Sequence, residues 1–255
     1  MRKILVTLLL VTFLMNVKGQ DTELSQGALQ LNTITTAVPF LLIAPDSRAG
    51  AMGDVGVSSS PDANSMHWNV AKMAFAEKEM GVSISYSPWL RRLVPDINLS
   101  YISMYKKVGD KGAVGGSLRY FSLGDIKFTN DQGDAIGDFN PAEFALDVGY
   151  SQKFGERFSG GLAFRYIYSN LTGGIDVSGA DTKAGKAFAV DIGLFYTNEE
   201  AEIFGQDAIF NWGLSISNIG QKISYTNDAV ADFIPINLRF GPSATFLLDD
   251  YNSIT

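Results

Sequence analysis

The sequence contains no cysteine and only one histidine, His67. The first absence excludes disulfides, thiol catalysis and cysteine-ligated zinc or iron–sulfur centres. The second rules out a multi-histidine metal site and leaves a single candidate base for a Ser-His-Asp triad. Basic residues are few, 20 against 27 acidic ones. Such a balance makes a poor nucleic-acid binder, because phosphate contacts need a basic face. Past residue 19 no apolar run approaches 18 residues, so no later segment reads as a membrane-spanning helix.

What is present points to sheet. The 255 residues include 26 glycines and 12% aromatics, with 46% hydrophobic residues overall. Glycine costs a helix interior about 1 kcal/mol, whereas aromatics suit a pleated surface. At the N-terminus, Arg2 and Lys3 precede an apolar run from Ile4 to Met15, followed by Asn16-Val17-Lys18-Gly19. Residues 1–19 therefore read as a secretory signal peptide cleaved after Gly19, the run being too short to span a bilayer. Its removal leaves 17 basic against 27 acidic residues, a net charge of −10. An exported chain of this kind is either soluble or enters a membrane as strands.

From Met80 onward, large apolar residues alternate with small or polar ones in eight segments. Val82, Ile84 and Tyr86 open the series. Ile97, Leu99, Tyr101 and Tyr105 follow, then Val114, Leu118 and Tyr120, and then Phe144, Leu146, Val148 and Tyr150. Leu162 to Tyr168, Phe188 to Tyr196, Phe210 to Ile216 and Ile236 to Phe240 continue it. Period two gives a sheet with one apolar face and one small or polar face. Segments of about 8–12 residues suit tilted strands crossing a bilayer, since about 9–11 are needed; soluble sandwiches favour about 5–6. The connections alternate as well. Lys106 to Gly112 and Phe154 to Phe158 are short, whereas Ser122–Pro141, Leu171–Gly185 and Gly220–Ile234 are long. Asn198 to Asp207 is longer than an ideal short turn. Short turns on one side and long loops on the other are the habit of outer-membrane barrels.

The polar face carries Arg119, Asp147, Arg165, Asp191, Asn211 and Arg239. A basic residue facing lipid at the midplane costs about 2–4 kcal/mol, so these side chains belong in a hydrated lumen. With Phe154 and Phe158 flanking a three-residue turn, Asp147 falls opposite Arg165 across the hairpin.

The first eighty residues differ. Gln20 to Asn32 reads as a loosely held terminus, and Pro39 and Pro45 argue against a regular central strand around Ala37–Ile43. Ser47-Arg48-Ala49-Gly50-Ala51-Met52-Gly53-Asp54-Val55-Gly56-Val57 fits neither nucleotide-loop spacing and reads as a glycine-rich strand. Ser60 to Lys72 reads as one or two short helices capped by Ser60 or Asp62, with Trp68, Met73 and Phe75 packed inward. His67 beside Trp68 reads as a packed or surface residue. Residues 20–79 are thus set apart from the strand region 80–255.

Ser47 to Val57, Asp62-Ala63 and Trp68-Asn69 together resemble the N-terminal hatch of FadL-type outer-membrane barrels. Tyr120-Phe121-Ser122-Leu123-Gly124-Asp125-Ile126 and the serine-rich first strand narrow this to a resemblance to the PorV (LptO) family of the Bacteroidetes type IX secretion system, over about residues 40–255. Val70 stands where relatives commonly have proline. The resemblance implies an all-β transmembrane antiparallel barrel of about 14 strands, of which this chain is expected to hold the N-terminal part. It also implies a lumenal hatch including Ser47, Arg48, Met52, Gly53, Asp54, Asp62, Trp68 and Asn69. An eight-stranded barrel is filled by its own side chains and leaves no room for such a hatch, which agrees with an incomplete barrel.

The function implied is non-enzymatic. Such a protein binds the C-terminal signal domain of secreted cargo at the SprA translocon and delivers it to the PorU sortase, in the outer membrane and in contact with lipid. No cofactor or metal is expected, and no nucleophile elbow supports the lipopolysaccharide deacylation that the family's second name reflects. Asp131, Asp134 and Asp138 lack EF-hand spacing and read as a solvated loop. Phe128, Ile136, Phe139, Tyr225 and Phe233 in the long loops are the expected partner anchors, since binding energy concentrates in a few apolar residues. The alternative is a FadL-like transporter of hydrophobic small molecules, which needs a greasy lumen.

Overall fold

Alternating side chains can hide only one face of a strand, and in this chain the hidden face is the polar one. The structure, a computed structural model, describes residues 36–89, 91–92, 94, 96–129, 133–174, 182–226, 231–249 and 252–255, without the side chains of Phe128, Ala135 and Ile136. Residues 1–19, read above as a signal peptide, and Gln20–Asn32 lie outside the described residues.

Among the described residues eleven strands follow one another: β1 (Met80–Pro88), β2 (Asn98–Val108), β3 (Gly112–Ser122), β4 (Ile126–Thr129), β5 (Ala135–Phe139), β6 (Ala142–Lys153), β7 (Phe158–Asn170), β8 (Gly185–Ile203), β9 (Gln206–Gly220), β10 (Asn237–Leu247) and β11 (Ser253–Ile254). Nine form one antiparallel meander, β1-β2-β3-β6-β7-β8-β9-β10-β11, and β4 and β5 pair separately. The long connection 122–141 is therefore not a plain loop but carries a hairpin of its own. Each of the eight alternating segments is one long strand of the meander. Among the described residues the two ends of the sheet, β1 and β10–β11, do not pair with each other.

The apolar side faces outward. Ile84 is 75% exposed and Val148 62%, whereas Asp147 and Arg165 on the other face are each 4% exposed. In water this arrangement would be upside down, since exposed aliphatic rows and buried charges both cost free energy.

β2 is the exception to the expected facing. Leu99, Tyr101 and Tyr105 are buried on the inner side, and Ile102 and Met104 face out. Both rows of β2 are apolar, so alternation alone does not tell them apart. Pairing decides it: Ile102 lies opposite Ile84 and Leu118, and Met104 opposite Val82, all outward residues.

Residues 36–79 pack on the inner face. Pro39–Leu42 forms a single 3-10 turn, as the prolines permit. Ser47–Ala51 is a short helix, α1, and not a strand. Asp46 caps it by accepting from the Ala49 amide at 2.8 Å, and Gly53 and Asp54, at φ 82° and 61°, end it. Cap and left-handed stop together outweigh the strand reading that the glycines suggest. A second helix, α2 (Ser65–Trp68), runs into a 3-10 turn over Val70–Phe75. Asp62 accepts from the Asn64 amide at 2.9 Å and so starts the turn that leads into α2. Residues 44–59 line cavities of about 500 and 650 Å³, the first with β1 and the second with β10.

Candidate functional site

The inner face is layered along the strands. At the long-connection end, Val38, Phe40, Leu41, Leu99, Phe121, Ile167, Ile223 and Ile234 make a buried apolar cluster. At the short-turn end, Met66, Val70, Met73, Tyr105 and Ala163 make a second. Between them lies a charged belt.

Arg165 is the centre of that belt. Its Nε donates to Asp147 Oδ1 at 2.6 Å, and its Nη2 lies 3.0 Å from Asp191 Oδ2. β6 and β7 place Asp147 and Arg165 directly opposite one another. Ser117 donates to the other Asp147 oxygen at 2.6 Å, and the Asn218 amide donates to Asp191 at 2.7 Å. Arg165 also donates to the Asn218 side-chain oxygen. Three charged groups buried together stand only because nearly every oxygen and N–H has a partner.

Arg119 joins the belt to the N-terminal segment. It donates to the Phe40 and Leu41 carbonyls at 3.0 and 2.7 Å, and its Nη2 lies 2.6 Å from His67 Nδ1. A guanidinium has no acceptor, so Nδ1 accepts and the ring proton sits on Nε2. Burial and the neighbouring Arg119, Arg239 and Arg165 hold His67 well below the usual imidazole range. The imidazole is therefore neutral and packed. Arg239 stacks over Trp68, its guanidinium carbon 5.1 Å from the ring centre.

Below the belt the sheet turns a set of glycines toward the insert. Gly115 lies opposite Gly149 and Gly161 opposite Gly193. A methyl at Gly161 would come within 2.9 Å of the Ala71 amide, and one at Gly149 within 2.9 Å of Val70; Gly193 and Gly213 would strike Asn69 and the Val57 carbonyl. At Gly161 and Gly213 main chain lies on main chain, and at Gly149 and Gly193 the side chains of Val70, Met66 and Asn69 fill the space a Cβ would need. Asn69 donates to the Val57 and Leu194 carbonyls at 3.1 and 2.9 Å and accepts from the Ala71 amide. Lys72, fully buried, donates to the Gly56 carbonyl at 2.8 Å and to Ser59, and desolvation brings its pKa down to about 8. Trp68 donates from its ring nitrogen to Asp46 at 2.7 Å.

The residues singled out in the sequence separate into groups. Asp62, Trp68 and Asn69 are structural parts of the insert, and Arg48 holds Asp62 at 3.5 Å and Ser60 at 2.9 Å. Met52, Gly53 and Asp54 lie exposed after α1, which Ser47 opens. In the long connections, Tyr225 is turned inward and donates to Ser169 at 2.9 Å, while Phe139 is half-buried. Phe233 is 57% exposed beneath the Lys222 ammonium, 4.1 Å from its ring centre. Phe128 and Ile136 fall on the β4–β5 hairpin, but their side chains are outside the described set. Asp134 and Asp138 are exposed, and Asp131 lies outside the described residues. Among the described residues no group of three or more His, Asp or Glu is placed to hold a metal.

Sequence reasoning passed over Lys72, Asp46, Ser117 and Asn218. Asn218 carries a signal only in its backbone, a φ of 62° near the end of β9. Lys72 looks like any exposed lysine until the fold covers it.

An antiparallel meander that displays its aliphatic rows and hides its charges around a packed insert is the construction of a transmembrane β-barrel. A model of the family described as "Type IX secretion system protein PorV" matches residues 26–255, and the chain belongs to that family. A search of curated proteins finds no match.

Proposed function

We propose that this protein resides in the outer membrane of a type IX secreting bacterium, reached by means of its signal peptide. There it binds the C-terminal signal domain of secreted cargo released from a SprA-type translocon and delivers it to a PorU-type sortase. The observation that carries the reading is family membership joined to an inside-out sheet: a rigid lipid-embedded frame that presents long connections at one end. Residues 36–79 act as a lumenal hatch, held by Arg119 and the glycine seat. Exposed Phe233, on its lysine-capped connection, is the anchor the geometry favours over inward-turned Tyr225.

Transport of hydrophobic small molecules is the weaker reading. The Arg165–Asp147–Asp191 belt crosses the inner face, and a greasy solute would have to desolvate it. Neither activity requires chemistry by this chain.

The test is co-purification in detergent with the translocon subunit and a tagged cargo domain. Shortening the 122–141 and 220–234 connections is expected to lose cargo capture while leaving the folded sheet intact by circular dichroism. Unchanged capture of both partners by a folded, shortened protein would refute the loop reading.

A further inference from the structure

β8 outruns β7, whereas β9 stays paired with β10 down to Ala208. The last residue of β8 opposite β7 is Tyr196, and one more bond, from the Thr197 amide to the Arg157 carbonyl at 2.9 Å, closes that side. Among the described residues, 198–203 then pair only with β9, through a register shift between Asn198 and Ala201. At about 3.4 Å per residue, six residues project roughly 20 Å, and their backbone edge away from β9 is open apart from the Glu200 amide, which donates to the Asn198 side chain at 3.4 Å. The tip is a two-residue turn, Phe204-Gly205, both at positive φ. Phe204 is 97% exposed. Beside the open edge lies a cleft of about 330 Å³ between the 154–157 turn and the overhang, with Phe75 and Lys153 in its wall.

An open edge normally invites any strand, including a second copy of the same chain. Here Glu199, Glu200, Glu202 and Asp207 line the overhang, and only Glu200 has an ion-pair partner among the described residues, Arg157 at 3.3 Å. Two such edges face to face would set carboxylate against carboxylate, which disfavours a second copy. The same carboxylates resist burial of Phe204 in a lipid interface. A basic extended segment satisfies all three features at once: backbone donors and acceptors for the edge, lysine or arginine for the carboxylates, and an apolar surface for Phe204.

We propose that the overhang is a docking strand that receives an extended, basic segment of a partner protein by strand addition. It stands at the short-turn end, opposite the long connections, so it does not rest on the cargo-binding reading. In a barrel the short turns face the periplasm, which places this partner on the inner side of the membrane.

The test uses the full chain in detergent micelles and a fluorescein-labelled octapeptide alternating lysine and valine, followed by fluorescence anisotropy. Binding is expected to weaken at least tenfold in E199Q/E200Q/E202Q and severalfold in F204A. The charge-matched control E77Q/E79Q/D110N is expected to bind like the parent, and the peptide N-methylated at alternate residues is expected not to bind. Three results would each overturn the proposal: equal weakening in the control, undiminished binding of the N-methylated peptide, or parental binding by both overhang variants. So would a Phe204→Ala protein that keeps the peptide affinity but is lost from liposomes on flotation, since Phe204 would then be a lipid anchor.

Discussion

Arg165 shows how a single side chain decides whether the inner face is stable. It neutralises two carboxylates that are otherwise cut off from water. Arg165→Leu strands both, and breaking such a buried group costs about 3–5 kcal/mol. The expected outcome is a sharply lowered melting temperature in detergent, largely restored when Asp147→Asn and Asp191→Asn are added. A triple variant no more stable than the single would show that the cost lies in lost packing.

His67 gives the pH dependence. Folded, it is held neutral by burial beside Arg119; unfolded, it titrates near the ordinary value of about 6.5. As pH falls through about 6.5, the unfolded chain takes up a proton that the folded chain refuses, so stability falls on acidification and is regained above it. Melting temperatures between pH 8 and 5 are expected to drop for the parent and to drop less for His67→Gln, whose amide oxygen still accepts from Arg119. Identical slopes would assign the acid response to other groups.

At the scale of elements, the two faces of one strand tolerate opposite changes. Val148, outward on β6, is expected to cost about 2–4 kcal/mol as Val148→Arg if it faces lipid, read as loss of folding into lipid vesicles. Gly149, the next residue, faces the insert. Gly149→Val and Gly161→Val are expected to leave strand content by circular dichroism unchanged yet expose residues 36–60 to protease, because the insert loses its seat. Protection equal to the parent's would show that the glycines are not required for docking. The eight long strands were legible from period-two alternation, though not the β4–β5 hairpin, and the Asp147–Arg165 register was legible from the Phe154–Phe158 turn. The facing of β2 was not, because both its rows are apolar and only its neighbours orient it. Nor was α1, where a distant Trp68 indole and the Asp46 cap fix a segment whose glycines suit several conformations.

For the molecule as a whole, the exposed rows of Ile84, Val148, Leu162, Phe240 and their neighbours form an outer surface that no soluble protein of this size would present. The protein is expected to stay monodisperse only in detergent or lipid, as sedimentation in the two solvents would show. Its ends differ in character: long connections with Phe233 at one, an acidic overhang ending in Phe204 at the other. A frame of this kind suits a component that meets different partners on the two sides of a membrane.

Composition and alternation by themselves determined that the chain is sheet, that its charges sit on one face and that its apolar rows sit on the other, since period two is a local property of extended backbone. Which face is buried in β2, how Arg119 and the glycine row seat residues 36–79, and where β8 outgrows β7 were decided only in three dimensions. Those features depend on pairing and contact between segments far apart in the chain, and no local pattern of residues encodes a neighbour that is not yet there.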